Sequence, residues 1–397
     1  MSPPTNNRRT RGANLNGRDD SSVIETLADM VRINSVNPNY EGGVDELEMA
    51  EYVEKFFLER GIETWHQNVF PNRPNVMARI PGADPNRRIV LEAHLDTVSV
   101  TGMTIEPWNP GIRDGKLYGR GACDTKGGMA AMMHAVASLA ADGVTPPCEV
   151  LFAATIDEEF SFRGVLALCE SPFHADVAII AEPTDLQPAI ASKGLVRWKI
   201  EALGKAAHSA KPHLGINAIE HMAQVITAIQ HDTIELSRHS HSLLGPATCN
   251  IGVVRGGVQI NFVPARCEIE IDRRMLPGES VATVLRHYQA IVDSVTKDNP
   301  TMRVIMHPPM LTDRPLETDA SAPAVQVMVR VLQQLGLDGT LIGVPFCSDA
   351  SKFGALGIPS MILGPGSINQ AHSADEFIEC KQVSQAVEIY RRFILAS

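Results

Sequence analysis

The chain has 397 residues, 44% hydrophobic and 20% charged, an ordinary globular balance long enough for two domains. A formal net charge of −11 argues against non-specific nucleic-acid binding, which needs a basic face, and no apolar run approaches the roughly 20 residues of a membrane span. The seven cysteines are scattered, odd in number and without a C-x-x-C pair, which speaks against a disulfide framework or a thiolate zinc site and favours a reducing cytoplasm.

In chain order, residues 1–20 (MSPPTNNRRTRGANLNGRDD) are polar and arginine-bearing, with no apolar core segment. They read as a disordered tail rather than a secretory signal, a transit peptide being the alternative. SSVIETLADMVRI spaces Val23, Ile24, Leu27 and Val31 at helical intervals behind a serine cap. VDELEMAEYVEKFFLERG repeats that pattern and ends at Gly61, a C-terminal cap. The β-rich segments NVMARI and RIVLEAHL then alternate with helices such as GGMAAMMHAVASLAADG, and CEVLFAATIDEE and ADVAIIAEP are further buried strands. Such alternation predicts an α/β sheet covered by helices on both faces over residues 21–191.

The texture changes at residue 192. LVRWKIEALG alternates like a strand with one solvated face, and the amphipathic helix INAIEHMAQVITAIQ follows it. Strands TCNIGVV, QINFV and CEIEIDRRM, the helix ESVATVLRHYQAIVDSV and the strand TMRVIMH complete the segment. That order predicts an open-faced α+β sandwich over residues 192–308. APAVQVMVRVLQQLG, PSMILGPG and a final helix over 309–397 resume the first texture, so the sandwich reads as an insertion into a larger catalytic domain.

Residues able to bind metal fall at the ends of apolar segments. In VLEAHLDTVSV, His94 and Asp96 share one face of a strand. The pair suits a metal ligand with a carboxylate behind it, or equally a hydrogen-bonded core histidine. LYGRGACDTKGGMAAM places Asp124 before a helix, as a helix cap or as a ligand. No phosphate-loop pattern accompanies it, and Cys123 reads as a small buried residue. In ATIDEEFSFRG, Asp157, Glu158 and Glu159 crowd together, which is costly inside a protein without a cation and unremarkable in a solvated loop. AIIAEPTD ends a strand at Glu182, and GPGSINQAHSADEF puts His372 in a glycine-rich loop. Five oxygen or nitrogen ligands without a thiolate fit two divalent ions, zinc first, with cobalt or manganese as alternatives. One carboxylate has to bridge if the ions sit roughly 3.5 to 4 Å apart.

With these motifs in this order from about residue 21 onward, the sequence resembles the two-zinc amidohydrolases and metallopeptidases. That family includes acetylornithine deacetylase, succinyl-diaminopimelate desuccinylase, aminoacylase and glutamate carboxypeptidase. The resemblance implies that His94 binds one ion, backed by Asp96, that Asp124 bridges both, and that Glu182 completes the first. It makes Glu159 and His372 ligands of the second ion and Glu158 the general base, with a cis peptide after Asp124. It also makes the inserted segment a lid and dimerisation domain. There GKAAHSAKP supplies His208 as donor to the tetrahedral oxyanion, often from the partner subunit. Asn261 in INFVP and Arg274 in IDRRMLPGE match substrate-contacting positions, Arg274 as a clamp on a carboxylate. On residue type alone these three read as a solvated loop histidine, a turn asparagine and a surface arginine.

Asp349 in CSDAS matches an acid often found in the family, and a structural turn explains it equally. His134 reads as packed in its helix, His231, His239 and His241 as facing water, and Lys193 and Gly366 lie near expected substrate positions without an assigned role. The expectation is a homodimeric, metal-dependent amidohydrolase that removes an acyl group from a small N-acyl amino acid, with neither a nucleic-acid nor a membrane partner. A dipeptidase or carboxypeptidase of the same family is the alternative. A non-catalytic metal-binding scaffold is disfavoured because the base, Glu158, is present.

Overall fold

The computed structural model describes residues 21–170 and 173–397; the tail expected at residues 1–20 lies outside them. The chain divides into two units, one of residues up to 189 with 319–341 and 348–397, the other of 190–318 with 342–347.

The first unit opens with helices α1 (Ser21–Arg32) and α2 (Leu47–Leu58) and strands β1 (Glu63–Phe70), β2 (Arg73–Ile80) and β3 (Asp84–His94). Helix α3 (Gly127–Ala141), strand β4 (Cys148–Thr155), helix α4 (Arg163–Glu170) and strand β5 (Val177–Ile180) follow. Strands lie in the order β1-β2-β4-β3-β5. β1 and β2 pair antiparallel, as do β2 and β4, whereas β3 runs parallel to both β4 and β5. Composition explains the arrangement. CEVLFAAT is buried along its whole length and β3 from Ile89 to His94, the continuous apolar signature of strands covered on both faces. β1, ETWHQNVF, is the exposed edge and owes its place to pairing with β2 rather than to burial. Helix α3 is apolar almost all round and belongs to the core.

The second unit contains strands β6 (Gly194–Leu203) and β7 (Ala207–His208), helix α5 (Ala218–Leu236), and strands β8 (Thr248–Gly256), β9 (Phe262–Val263) and β10 (Arg266–Met275). Helix α6 (Val281–Thr296) and strands β11 (Arg303–Met306) and β12 (Leu311–Asp313) complete it. The antiparallel sheet runs β8-β10-β6-β11, with β12 also on β6. Trp198, Ile200, Ile269 and Ile271 of the sheet share one core with Met222 and Val225 of α5 and Tyr288 of α6, an open-faced sandwich.

Two details depart from the sequence reading. QINFV contributes only Phe262 and Val263, which leave the main sheet to pair with β7; Pro264 removes the next ladder donor. The unit also runs past residue 308, because Leu311–Asp313 continues the pairing with β6, and it takes in 342–347. The polar face of β6 is covered by ion pairs, Arg197 with Asp272, Lys199 with Glu268 and Glu201 with Arg266.

Returning to the first unit, the chain forms helix α7 (Pro323–Gln334), helix α8 (Ala350–Ala355), strand β13 (Ser360–Ile362) and helix α9 (Cys380–Ala396). β13 lies parallel to β5. Helices α1, α3 and α9 pack on one another, and α7 packs on α9. The first unit is therefore a mixed sheet with helices, and β4, β3, β5 and β13 all end at one edge.

Candidate metal centre

The carboxyl edge of parallel strands is where open α/β sheets bind ligands, and here the edge is acidic. His94 is the last residue of β3, opposite Thr155 of β4, so the acids after Thr155 emerge beside it. Glu182 follows β5, and the loop after β13 carries His372. His94 is buried, and its Nε2 lies 3.0 Å from Asp124 Oδ1 and 3.6 Å from Glu182 Oε1. His372 Nε2 lies 3.3 Å from Asp124 Oδ2 and 3.2 Å from Glu159 Oε1. The two oxygens of one carboxylate thus face two different histidines. Ligand atoms of His94, Asp124 and Glu159 fall within 4.8 Å of one another, and so do those of His94, Glu158 and Glu182. All five expected ligands and Glu158 come together.

Asp124 does not cap α3, whose N-cap is Lys126; it lies in a wide turn over Ala122–Lys126, and the Asp124–Thr125 peptide is cis. Glu376, buried and overlooked in the sequence, holds that turn. Its carboxylate accepts hydrogen bonds from Arg120 Nη1 at 2.8 Å, from the N–H groups of Gly121 and Cys123 at 2.9 Å, and from that of Asp124 at 3.1 Å. The signal was faint: an acid four residues beyond His372.

Asp96 is more than a carboxylate behind His94. Its main-chain oxygen accepts from His94 Nδ1 at 2.9 Å, while its carboxylate stands 3.6 Å off. Because a carbonyl can only accept, Nδ1 carries a proton; a cation that displaces the second ring proton, the one shared with Asp124, finds the lone pair on Nε2. The carboxylate instead accepts from the N–H groups of Glu158 and Glu159, each at 3.1 Å, and from Asn37 Nδ2 at 2.8 Å. Asp157, the first acid of the trio, turns away from the ligands to accept from Arg73 Nη2 at 3.0 Å and from Ser161.

Burial, reinforced by the charge of neighbouring carboxylates, holds Glu158 and Glu182 well above the usual carboxylate range. Burial raises Glu159 too. Asp124 moves the other way, since hydrogen bonds from His372 and His94 outweigh its burial. Crowded acids of this kind hold protons unless cations replace them. The donors are oxygen and nitrogen alone, with the Cys123 thiol turned to the Ser367 carbonyl at 3.3 Å. That set fits two divalent ions of the zinc, cobalt or manganese type.

Other residues fall outside the cluster. Asp349 is fully buried just before α8; it accepts from Thr155 Oγ1 at 3.1 Å, and burial pushes it up to about 6. His134 pairs with Thr26 Oγ1 at 2.8 Å. His231 and His239 are exposed, whereas His241 pairs with Glu317 at 3.1 Å. The remaining expected residues belong to the second unit. His208 is exposed on β7, and its Nδ1 accepts the Ala210 N–H at 3.1 Å, which leaves the proton of a neutral ring on Nε2. Asn261 is its neighbour, since the N–H of Ser209 donates to the Asn261 carbonyl at 3.0 Å. Arg274 already holds Asp272 through Nε at 2.7 Å and Nη2 at 3.3 Å, with Nη1 3.7 Å from the Cys347 sulfur.

Residues 90–396 match the family model described as peptidase family M20/M25/M40. The acetylornithine deacetylase of Yersinia pseudotuberculosis is 33% identical over 314 residues, which cover 77% of this chain and 78% of that protein. Among solved structures, the aminopeptidase PepT of Bacillus cereus is similar with a TM-score of 0.80 at 22% identity, over 95% of this chain and 98% of that one. The Bacillus subtilis YXEP protein, a dinuclear metal binding peptidase, reaches a TM-score of 0.72 at 16% identity, over 95% and 97%.

Proposed function

The chain belongs to peptidase family M20/M25/M40, and from that membership we propose that it hydrolyses the amide bond of a small N-acyl amino acid. The similarity to an acetylornithine deacetylase supports this substrate class. The observation that carries the reading is the single Asp124 carboxylate shared by His94 and His372, with Glu158 in the same cluster.

In this reading His94, Asp124 and Glu182 would hold one ion, and Asp124, Glu159 and His372 would hold the other, zinc being the first choice. When bound, such ions polarise the amide carbonyl and lower the pKa of water toward about 7. Glu158 takes the proton of the attacking water as the new C–O bond forms. It returns that proton to the nitrogen as the C–N bond breaks. Asp96 keeps His94 in the tautomer that offers Nε2. His208, with its proton on Nε2, donates to the tetrahedral oxyanion, a role worth about 3 to 4 kcal/mol for a well-aimed donor. Asn261 contacts the substrate, and Arg274 pairs with its carboxylate through the donors that Asp272 leaves free. We further infer a homodimer formed through the second unit, and a reducing cytoplasm, which suits seven free cysteines.

The test is Glu158→Gln, assayed with N-acetyl and N-succinyl amino acids and with dipeptides, in zinc, cobalt and manganese. The variant keeps its metal content by elemental analysis and loses about 100- to 10,000-fold in turnover. Undiminished turnover removes Glu158 as base, and cleavage of dipeptides alone moves the substrate class to peptides.

A further inference from the structure

The segment NSVNPNY, residues 34–40, lies in the connection between α1 and α2 and contributes no ligand. In the structure it grips the loop that carries Glu158 and Glu159. Val36 forms a parallel bridge to Thr97, the Asn37 N–H donates to the Thr97 carbonyl at 2.9 Å, and the Thr97 N–H donates to the Ser35 carbonyl at 3.0 Å. The Tyr40 hydroxyl donates to the Glu159 carbonyl at 2.6 Å.

Asn37 is wholly buried between two carboxylates. Its Nδ2 donates to Asp96 Oδ2 at 2.8 Å and to Asp157 Oδ1 at 2.9 Å. Its Oδ1 accepts from the Asn39 N–H at 3.1 Å and from Asn39 Nδ2 at 3.0 Å. The amide therefore has one orientation, because flipping it sets an acceptor against two acceptors. Asp96 and Asp157 are each 1% exposed, and repulsion between them inside the protein would be severe without a donor to both. Arg73 reaches Asp157 at 3.0 Å, but the same guanidinium is bidentate to Glu46, 2.6 Å at each contact. Both carboxylates control the acid pair. Asp157 directly precedes it, and Asp96 accepts the N–H groups of Glu158 and Glu159.

We propose that Asn37 is a positioning residue for the hydrolysis: by giving one N–H to each of two buried carboxylates, it fixes the loop that presents Glu158 and Glu159 beside His94. The inference rests on the reading of Glu158 as base and Glu159 as ligand. Few side chains can replace it. Aspartate has no donor when ionised, serine has one and is shorter, and glutamine is a methylene too long for the same two contacts.

The test loads the wild type, Asn37→Ala and Asn37→Ser with cobalt(II). It records the visible absorption bands, cobalt affinity by chelator competition, thermal melts, and kcat and KM on the best N-acyl amino acid or peptide found in the screen. For Asn37→Ala the expected result is a fall of about 10- to 100-fold in kcat and in cobalt affinity, with altered bands and KM changed by less than about twofold. Asn37→Ser, keeping one donor, recovers part of both losses. A lower melting temperature with unchanged bands, affinity and kcat overturns the proposal and leaves Asn37 a structural residue. Should neither Asn37 variant fold, Tyr40→Phe, which removes one hydroxyl from the same grip, carries the test. It is then expected to shift the cobalt bands and lower kcat in the same direction, and unchanged values overturn the proposal. If the wild type binds cobalt yet cleaves no N-acyl amino acid or peptide, the functional reading fails while the cobalt bands and affinity still decide the role of Asn37.

Discussion

Glu376 contributes no atom to the ligand cluster, yet its carboxylate gathers the Arg120 guanidinium and three backbone N–H groups of the turn that carries Asp124. All four partners are donors, so an amide is a poor substitute: Glu376→Gln turns an NH2 group toward N–H groups and halves the accepting capacity. The expected outcome is a protein that still folds but binds cobalt or zinc about 10- to 100-fold more weakly, read by chelator competition. Single residues were legible in the sequence to unequal degrees. His94, Glu158, Glu159 and Glu182 stood out because each interrupts or ends an apolar segment, where a polar group needs a reason, and His372 because it completes the ordered set from a glycine-rich loop. Asn37 and Glu376 lie among loop residues of the kind any surface turn contains. Only contacts across long stretches of chain distinguish them, and composition carries no trace of such contacts. For Asp96 the motif suggested a carboxylate behind the histidine, whereas the main-chain oxygen makes the bond, because the carboxylate is already engaged by Asn37 and two N–H groups.

Helix α3 shows how an element can store sensitivity to acid. Its His134 sits against α1 through Thr26 and beside the Phe56 ring of α2, and burial, helped by Arg60, pushes it down to about 4. An unfolded histidine titrates near 6.5, so between about pH 6.5 and 4 the unfolded chain takes up a proton that the folded chain refuses. Stability is therefore unaffected by this group above about pH 6.5 and falls as the pH drops through that window, by up to about 3 kcal/mol. Thermal melts of the wild type and His134→Leu across pH 4 to 7 check this, the variant showing the flatter profile. Most elements could be read from periodicity, since long helices such as α5 and fully buried, largely apolar strands such as β4 have few alternatives. The failures were at edges. β1 carries Trp65, His66 and Gln67 in succession and shows no clean alternation, and β9 shrank to two residues because its register depends on β7 rather than on its own sequence.

At the scale of the whole molecule, strand β8 of the second unit is an open sheet edge among the described residues, and the connection beyond it leaves Val258 92% and Ile260 102% exposed. Exposed apolar side chains next to an unpaired edge are a liability in a monomer and an asset in an interface. If the proposed homodimer forms through this edge, the double variant Val258→Asp/Ile260→Asp is expected to sediment as a monomer and the wild type as a dimer, with the melting temperature little changed at a solvent-exposed site. A dimeric variant would place the interface elsewhere. A change of strand texture at residue 192 is what the sequence offers for a boundary, and the second unit starts at residue 190. Its end has no such mark, because Leu311–Asp313 looks like any short strand until it is seen pairing with β6. The division of labour also sets an order in time. Glu182 and His372 lie on either side of the second unit. A ribosome adding roughly 5 to 20 residues per second therefore finishes the group His94, Asp124 and Glu182 roughly 10 to 40 seconds before His372 is made. A growing polypeptide thus passes through a stage that has made the ligands proposed for one cation but neither His372, proposed for the other, nor Glu376, which holds the turn carrying Asp124, so both proposed cations wait for the last part of the chain.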